Sequence, residues 1–198
     1  MQFIPEFNIG ILNAWILILL VILPLVLVVL FRRGVFKKTD SIHASILTGR
    51  EKKIFIFSKI ILFSVFIYSV FLPLKLGTVW FYTGLPIYLL GLIIHTIAWV
   101  NVASSSTDSP VTKGMYRYSR HPMYVSFPLI FIGTSIASAS WLLLLLSIML
   151  VITHLYNGNL EERECLKAYG KAYQEYMNKT PKWIGIPKPY NTMAGLPR

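Results

Sequence analysis

The chain has 198 residues, 55% of them hydrophobic and 14% charged, with a formal net charge of +11. Soluble domains carry about 25% charged residues, so this composition, with a mean hydropathy of +0.61, excludes a disordered chain, a collagen-like chain and an ordinary soluble enzyme. The single cysteine, Cys165, excludes an internal disulfide framework and any multi-cysteine metal site.

Met1 to Ile9 lacks the basic stretch of a secretory leader. A bilayer is crossed by roughly 20 apolar residues. Ile9 to Phe31 is the first such run, interrupted by Asn13 and Pro24 and stopped by Arg32 and Arg33. Lys37, Lys38, Arg50, Lys52 and Lys53 complete a basic linker. Ile54 to Leu74 is the second run, with Lys59 near its start and able to snorkel back toward the linker. After a turn at Pro73, Lys75 and Gly77, Val79 to Val100 is the third, containing Pro86 and His95.

Asn101 to Arg120 reads as a polar loop. Met123 to Tyr156 is too long for one span and suits two helices joined at Ala137 to Ser140. From Asn157 a polar helix is expected, with Leu160, Tyr169, Tyr173 and Tyr176 as its apolar face and Pro181 at its end. The chain thus divides into three N-terminal membrane helices, residues 1–100, and a C-terminal region, residues 101–198. The fold class is all-α: a polytopic membrane protein of about five spans. No internal repeat of the transporter kind is found.

With the first linker placed inside, Lys75 is the one basic residue outside, and every other basic residue except Lys59 lies in an inside segment. The positive-inside rule then accounts for the net charge, and nucleic acid binding loses its support. The polar segments Asn101–Arg120 and Asn157–Pro181 come to share the cytosolic face, where the C-terminus also lies.

Three places can carry chemistry. Arg120-His121-Pro122 opens a membrane helix, and its free N–H groups and positive dipole end suit an anionic ligand group, although such residues also anchor helix ends at interfaces. Glu161 and Glu162 can bind a cation or ribose hydroxyls, or be dipole-favoured solvated residues. His95 inside the third span is either functional or a neutral hydrogen-bonded ring. HExxH, GxGxxG, P-loop and Gly-x-Ser-x-Gly motifs are absent.

Val111-Thr-Lys-Gly114-Met-Tyr116-Arg-Tyr-Ser-Arg120-His121-Pro122-Met-Tyr124, followed after a hydrophobic hairpin by Glu161-Glu162, Leu166, Tyr169-Gly170, Tyr173, Tyr176 and Thr180-Pro181, resembles the signature of the isoprenylcysteine carboxyl methyltransferase family. Related phospholipid N-methyltransferases share the plan. The resemblance covers residues 101 to 185. It implies an integral membrane enzyme using S-adenosylmethionine, held in a cytosolic pocket by Asn101, Asp108, Ser109, Pro110, Val111, Tyr116, His121, Pro122, Met123, Tyr124 and Glu161. A lipophilic, prenylated substrate would enter from the bilayer beside the hairpin. Arg120, His121 and Glu162 are the catalytic candidates. Asn157 stands where the family often has an arginine for the substrate carboxylate; Arg163 or Arg120 would take that part, and Asn157 and Arg163 are the substrate-binding candidates.

A carboxylate acceptor is already ionised at neutral pH and needs no base. A phospholipid ammonium would need one, with Glu162 or His121 as candidates. Two other readings stay open. One is an NADPH-dependent sterol or isoprenoid reductase, whose C-terminal region is similar at Cys165, Tyr169-Gly170 and Tyr176. The other is a non-enzymatic membrane binding protein.

Overall fold

The computed structural model describes residues 10–31, 48–106 and 108–188. The start of the first run, the Arg32 to Lys38 part of the basic linker and the last ten residues lie outside the described residues. Among the described residues there are six α-helices, one 3-10 turn and no strand: α1 (Trp15–Phe31), α2 (Gly49–Val70), α3 (Val79–Ala103), the 3-10 turn Gly114–Arg117, α4 (Pro122–Ala137), α5 (Trp141–Tyr169) and α6 (Lys171–Lys179).

Helices α2, α3 and α5 are long and apolar enough to cross a membrane; α1 and α4 are shorter apolar helices. Their large side chains divide as a bilayer requires. Leu17, Val21, Ile61, Val65, Ile130, Phe131 and Leu150 meet in a common core, while Phe63, Leu90, Ile93, Ile152 and others stand exposed. Exposed apolar side chains on this scale suit lipid, not water. The chain is a polytopic integral membrane protein.

Close approach of α3 and α4 organises the bundle. Gly84 and Gly91, seven residues apart on α3, face Gly133 and Ile130 on antiparallel α4. A Cβ built on Gly133 would lie 2.5 Å from the Tyr88 nitrogen, and one on Gly91 would lie 2.8 Å from the Ile130 nitrogen. Lipid gives apolar helices little reason to associate, so packing depends on small residues that let backbones touch and on hydrogen bonds between helices. Both occur here. Tyr88 donates its hydroxyl to the Leu17 carbonyl at 2.6 Å, joining α3 to α1. Ser135 and Ser147 meet at 3.2 Å between α4 and α5.

Residues 138–140 turn the hairpin, as the sequence suggests, with Ala139 at φ +49° and Ser140 accepting from the Leu143 N–H. At this end the chain differs from the expected second span, which ran to Leu74. Helix α2 stops at Val70 because residues 12–14 capture the next residues. Ala14 N–H donates to Leu72 O at 2.8 Å, Leu74 N–H to Leu12 O at 3.2 Å, and the Asn13 amide to Val70 O at 2.9 Å. Asn13, a lone polar residue in an apolar run, thereby satisfies a helix-end carbonyl.

The expected separate C-terminal helix is also different. Helix α5 runs without interruption from the apolar stretch to Tyr169, so the polar segment from Asn157 is its extension. The break falls at Gly170, whose φ of +53° is a conformation that favours glycine. Helix α6 ends at Lys179, before Pro181. The 3-10 turn, the N-terminus of α4, the polar part of α5 and helix α6 consequently gather at one end of the bundle, opposite Lys75.

Candidate functional site

The site forms where the first turn of α4 meets the polar extension of α5. His121 is the N-cap and Pro122 occupies the first helical position, the place where a missing N–H does no harm. Antiparallel packing of the hairpin then sets His121 beside Glu161 and Glu162, some forty residues away in sequence. His121 Nε2 lies 3.1 Å from Glu162 Oε1 and Nδ1 lies 3.5 Å from Glu161 Oε2. Carboxylates only accept, so a ring flanked by one at each nitrogen is held as a doubly protonated imidazolium. Burial favours the neutral ring, but the Glu161 and Glu162 carboxylates outweigh it and raise the His121 pKa above its usual value.

Glu162 has three cationic neighbours. Besides His121, Arg120 reaches Oε1 at 3.2 Å and Lys182 reaches Oε2 at 3.3 Å. Its side chain is 11% exposed, whereas that of Glu161 is 40% exposed. The two adjacent carboxylates are therefore unlike: Glu162 is enclosed by cations and Glu161 opens outward.

Since the His121 pKa is raised on folding, the stability its ion pairs contribute is complete below the unfolded value of about 6.5 and lost as pH climbs through the raised value. The difference in melting temperature between wild type and His121→Asn in detergent is expected to be larger at pH 6 than at pH 9. An unchanged difference across that range would contradict a charged His121.

A column of rings extends inward from this cluster. Trp183 leans on His121 with centroids 5.5 Å apart. His121 stacks on Tyr124 at 5.5 Å, Tyr124 on His154 at 5.0 Å, and His154 on Phe127 at 5.2 Å. The strap 180–188 closes over the outer end. Arg120 N–H donates to Pro181 O and Gly185 N–H to Tyr118 O, and a Cβ on Gly158 would lie 3.1 Å from the Trp183 ring. Lys182 also donates to Asn159 Oδ1.

The remaining sequence candidates fall in three groups. Asn101 accepts the Met115 N–H through Oδ1 at 2.9 Å, fixing the loop ahead of α4. Tyr116 is tied to α6 because its carbonyl accepts the Tyr176 hydroxyl at 2.7 Å. Burial, then the Glu161 carboxylate, push its phenol pKa up. Asp108 and Ser109 stand exposed in that loop, with Pro110 and Val111 half-buried. Pro122 is buried; Met123, half-buried, accepts the Ser126 hydroxyl at its carbonyl.

The two substrate candidates turn toward α2. Asn157 donates its amide to Ser58 Oγ at 3.1 Å, and Arg163 pairs with Glu51 at 2.8 Å. His95 is structural. Trp99 Nε1–H donates to its Nε2 at 3.0 Å. An indole only donates, so a neutral ring carries its proton on Nδ1, facing Ser126 Oγ at 3.1 Å.

Lys182, Trp183 and His154 were not among the sequence candidates. The strap has no helical period and is held by backbone hydrogen bonds, which leave little mark on composition. His154 was visible only as an ionisable residue in an apolar run, the same signal that marked His95.

No curated protein matches the chain. The family model described as phospholipid methyltransferase matches residues 92–172, a stretch that begins in α3, takes in the 3-10 turn and the whole hairpin with Arg120, His121, Glu161 and Glu162, and ends at the start of α6.

Proposed function

We propose that the protein transfers a methyl group from S-adenosylmethionine to a polar atom of a lipophilic acceptor that arrives from the bilayer. The observation that carries this reading is the convergence of Arg120, His121 and Tyr124 with Glu161 and Glu162 at the polar end of an apolar bundle, within the stretch matched to the methyltransferase family. Basic residues crowd that end, which supports a cytosolic orientation for it and for the C-terminus. The polar cofactor would then come from the cytosol and the acceptor sideways from lipid.

The residues present suit the cofactor. Arg120 Nε is buried and has no hydrogen-bond partner among the described residues. A buried donor of this kind calls for an acceptor, and the cofactor's carboxylate is one. The outward-facing Glu161 suits ribose hydroxyls or the ammonium group, and Tyr124, stacked between His121 and His154, backs the cluster from the inner side. Bound there, S-adenosylmethionine supplies an electrophilic methyl on a sulfonium. The chain's own part is orientation and exclusion of water: Arg120 and Glu161 hold, the strap with Trp183 covers, and Glu162 fixes Arg120, His121 and Lys182 relative to one another. Enclosed by three cations, Glu162 acts as a positioning residue.

Two acceptor chemistries suit such a site, the carboxylate of a prenylated cysteine and the amine of a phospholipid. The family match favours the phospholipid, whose ammonium must give up a proton before it attacks. With His121 already protonated and Glu162 held by three cations, the more exposed Glu161 carboxylate is the group to take it. Calorimetry on purified protein in detergent is expected to show saturable binding of S-adenosylhomocysteine, weakened about tenfold or more by Arg120→Met and by Glu161→Ala, as loss of a charged hydrogen bond implies. Absence of saturable binding would overturn the proposal.

A further inference from the structure

A second polar cluster lies deeper, at the seam between α2 and α5. His154 Nδ1 and Asn157 Oδ1 are both buried without a hydrogen-bond partner among the described residues, in side chains 9% and 7% exposed. Three residues apart on α5, they share one helix face. The Asn157 amide nitrogen is committed to Ser58 Oγ on α2, which fixes the orientation of the carboxamide and leaves its oxygen as the open acceptor.

Beside Ser58 comes Lys59, exposed on the outer surface of α2. Its ammonium sits 5.1 Å from the Phe55 ring centroid. None of the described carboxylates forms an ion pair with it. Five residues beyond the start of the apolar run at Ile54, it lies about 8 Å along the helix from that start. A lysine at this depth reaches the interface by snorkelling, where its ammonium can meet an anionic head group. Its chain neighbour Ser58 is the residue that the Asn157 amide bonds, which places Lys59 at the α2 side of the seam.

We propose that this seam holds the head group of the methyl acceptor: Lys59 takes its anion, and Asn157 Oδ1 with His154 Nδ1 take a hydrogen-bearing nitrogen or oxygen. The inference rests on the methyltransferase reading, since it names the acceptor's binding place. The ring column gives the link. His154 stacks on the inner face of Tyr124, whose other side stacks on His121, so the seam and the cofactor cluster are separated by one ring. An amphiphile with its chain in lipid and its anion on Lys59 would present its polar atoms toward that ring. The ligand class is thus an anionic or zwitterionic amphiphile. Its anion is a phosphate if the acceptor is a phospholipid and a carboxylate if it is a prenylcysteine.

The test is stabilisation by ligand, since a molecule that binds only the folded protein raises its melting temperature. Purified full-length protein in nonionic detergent is titrated with phosphatidylethanolamine, with N-acetyl-S-farnesylcysteine and with uncharged diacylglycerol. At least one of the first two is expected to raise the melting temperature saturably, and diacylglycerol is not. In Lys59→Gln the apparent affinity is expected to fall about tenfold or more, Lys59→Arg retains it, and S-adenosylhomocysteine binding stays at the wild-type level in both. Asn157→Leu weakens the same ligand. Equal shifts in Lys59→Gln and wild type, an equal shift with diacylglycerol, or no shift with either charged amphiphile would overturn the assignment. S-adenosylhomocysteine binding, measured on the same samples, reads separately whether the methyltransferase proposal stands.

Discussion

Glu162→Ala is expected to destabilise the protein by about 3 kcal/mol and to abolish S-adenosylhomocysteine binding. Removing one partner from a buried ion pair costs about 3–5 kcal/mol because the other charge is left without compensation. Here one carboxylate serves Arg120, His121 and Lys182, at 3.2, 3.1 and 3.3 Å. The lower end of that range applies because Lys182 can turn to solvent. Lys182 comes from the strap, so its release also loosens the cover over the outer end of the ring column. Thermal unfolding in detergent measures the first effect and calorimetry the second. A variant with wild-type stability and wild-type affinity would show that the three cations do not depend on Glu162.

Gly133→Val is expected to cost a similar amount, about 3 kcal/mol, by a different route. Overpacking a tight interface typically costs about 1–3 kcal/mol, and this interface is backbone on backbone. The first added carbon would lie 2.5 Å from the Tyr88 nitrogen and 2.8 Å from the Gly84 carbonyl oxygen, so α3 and α4 must separate. Their separation moves Tyr88 away from Leu17 and shifts the start of α4, with His121, relative to α5. A large drop in melting temperature and a loss of monodispersity on size exclusion should follow. Gly49→Ala is the contrast: no atom lies within 4 Å of its added carbon, and no such loss is expected.

Much of this architecture was legible in the sequence for a simple reason. In lipid every spanning segment must satisfy its own backbone, so apolar length alone places the helices. Four small or polar residues between two apolar runs place the hairpin turn at 137–140. Charge asymmetry puts Arg120 and Glu161 at the same end before any contact is known.

The rest depended on contacts that leave no periodic signal. Whether the chain breaks at Asn157 or at Gly170 turns on one positive φ, and polarity changes at the wrong place to reveal it. Glycines at 84, 91 and 133 carry the helix packing, yet a glycine in an apolar run reads like any other small residue until its partner is known. His95 and His154 look alike in sequence. One has both nitrogens engaged by Trp99 and Ser126, while the other has a nitrogen open, and only the neighbouring helices decide which.

The cluster at the polar end of the bundle is proposed to direct a methyl group onto a lipophilic acceptor. Incubating the purified protein with methyl-labelled S-adenosylmethionine, a total lipid extract and N-acetyl-S-farnesylcysteine puts this to the test. Label is expected in the organic-soluble fraction and is lost in Glu162→Ala; base-stable label marks an amine acceptor and base-labile label an ester. Protein that binds S-adenosylhomocysteine yet leaves every lipid and prenylcysteine acceptor unlabelled would contradict it.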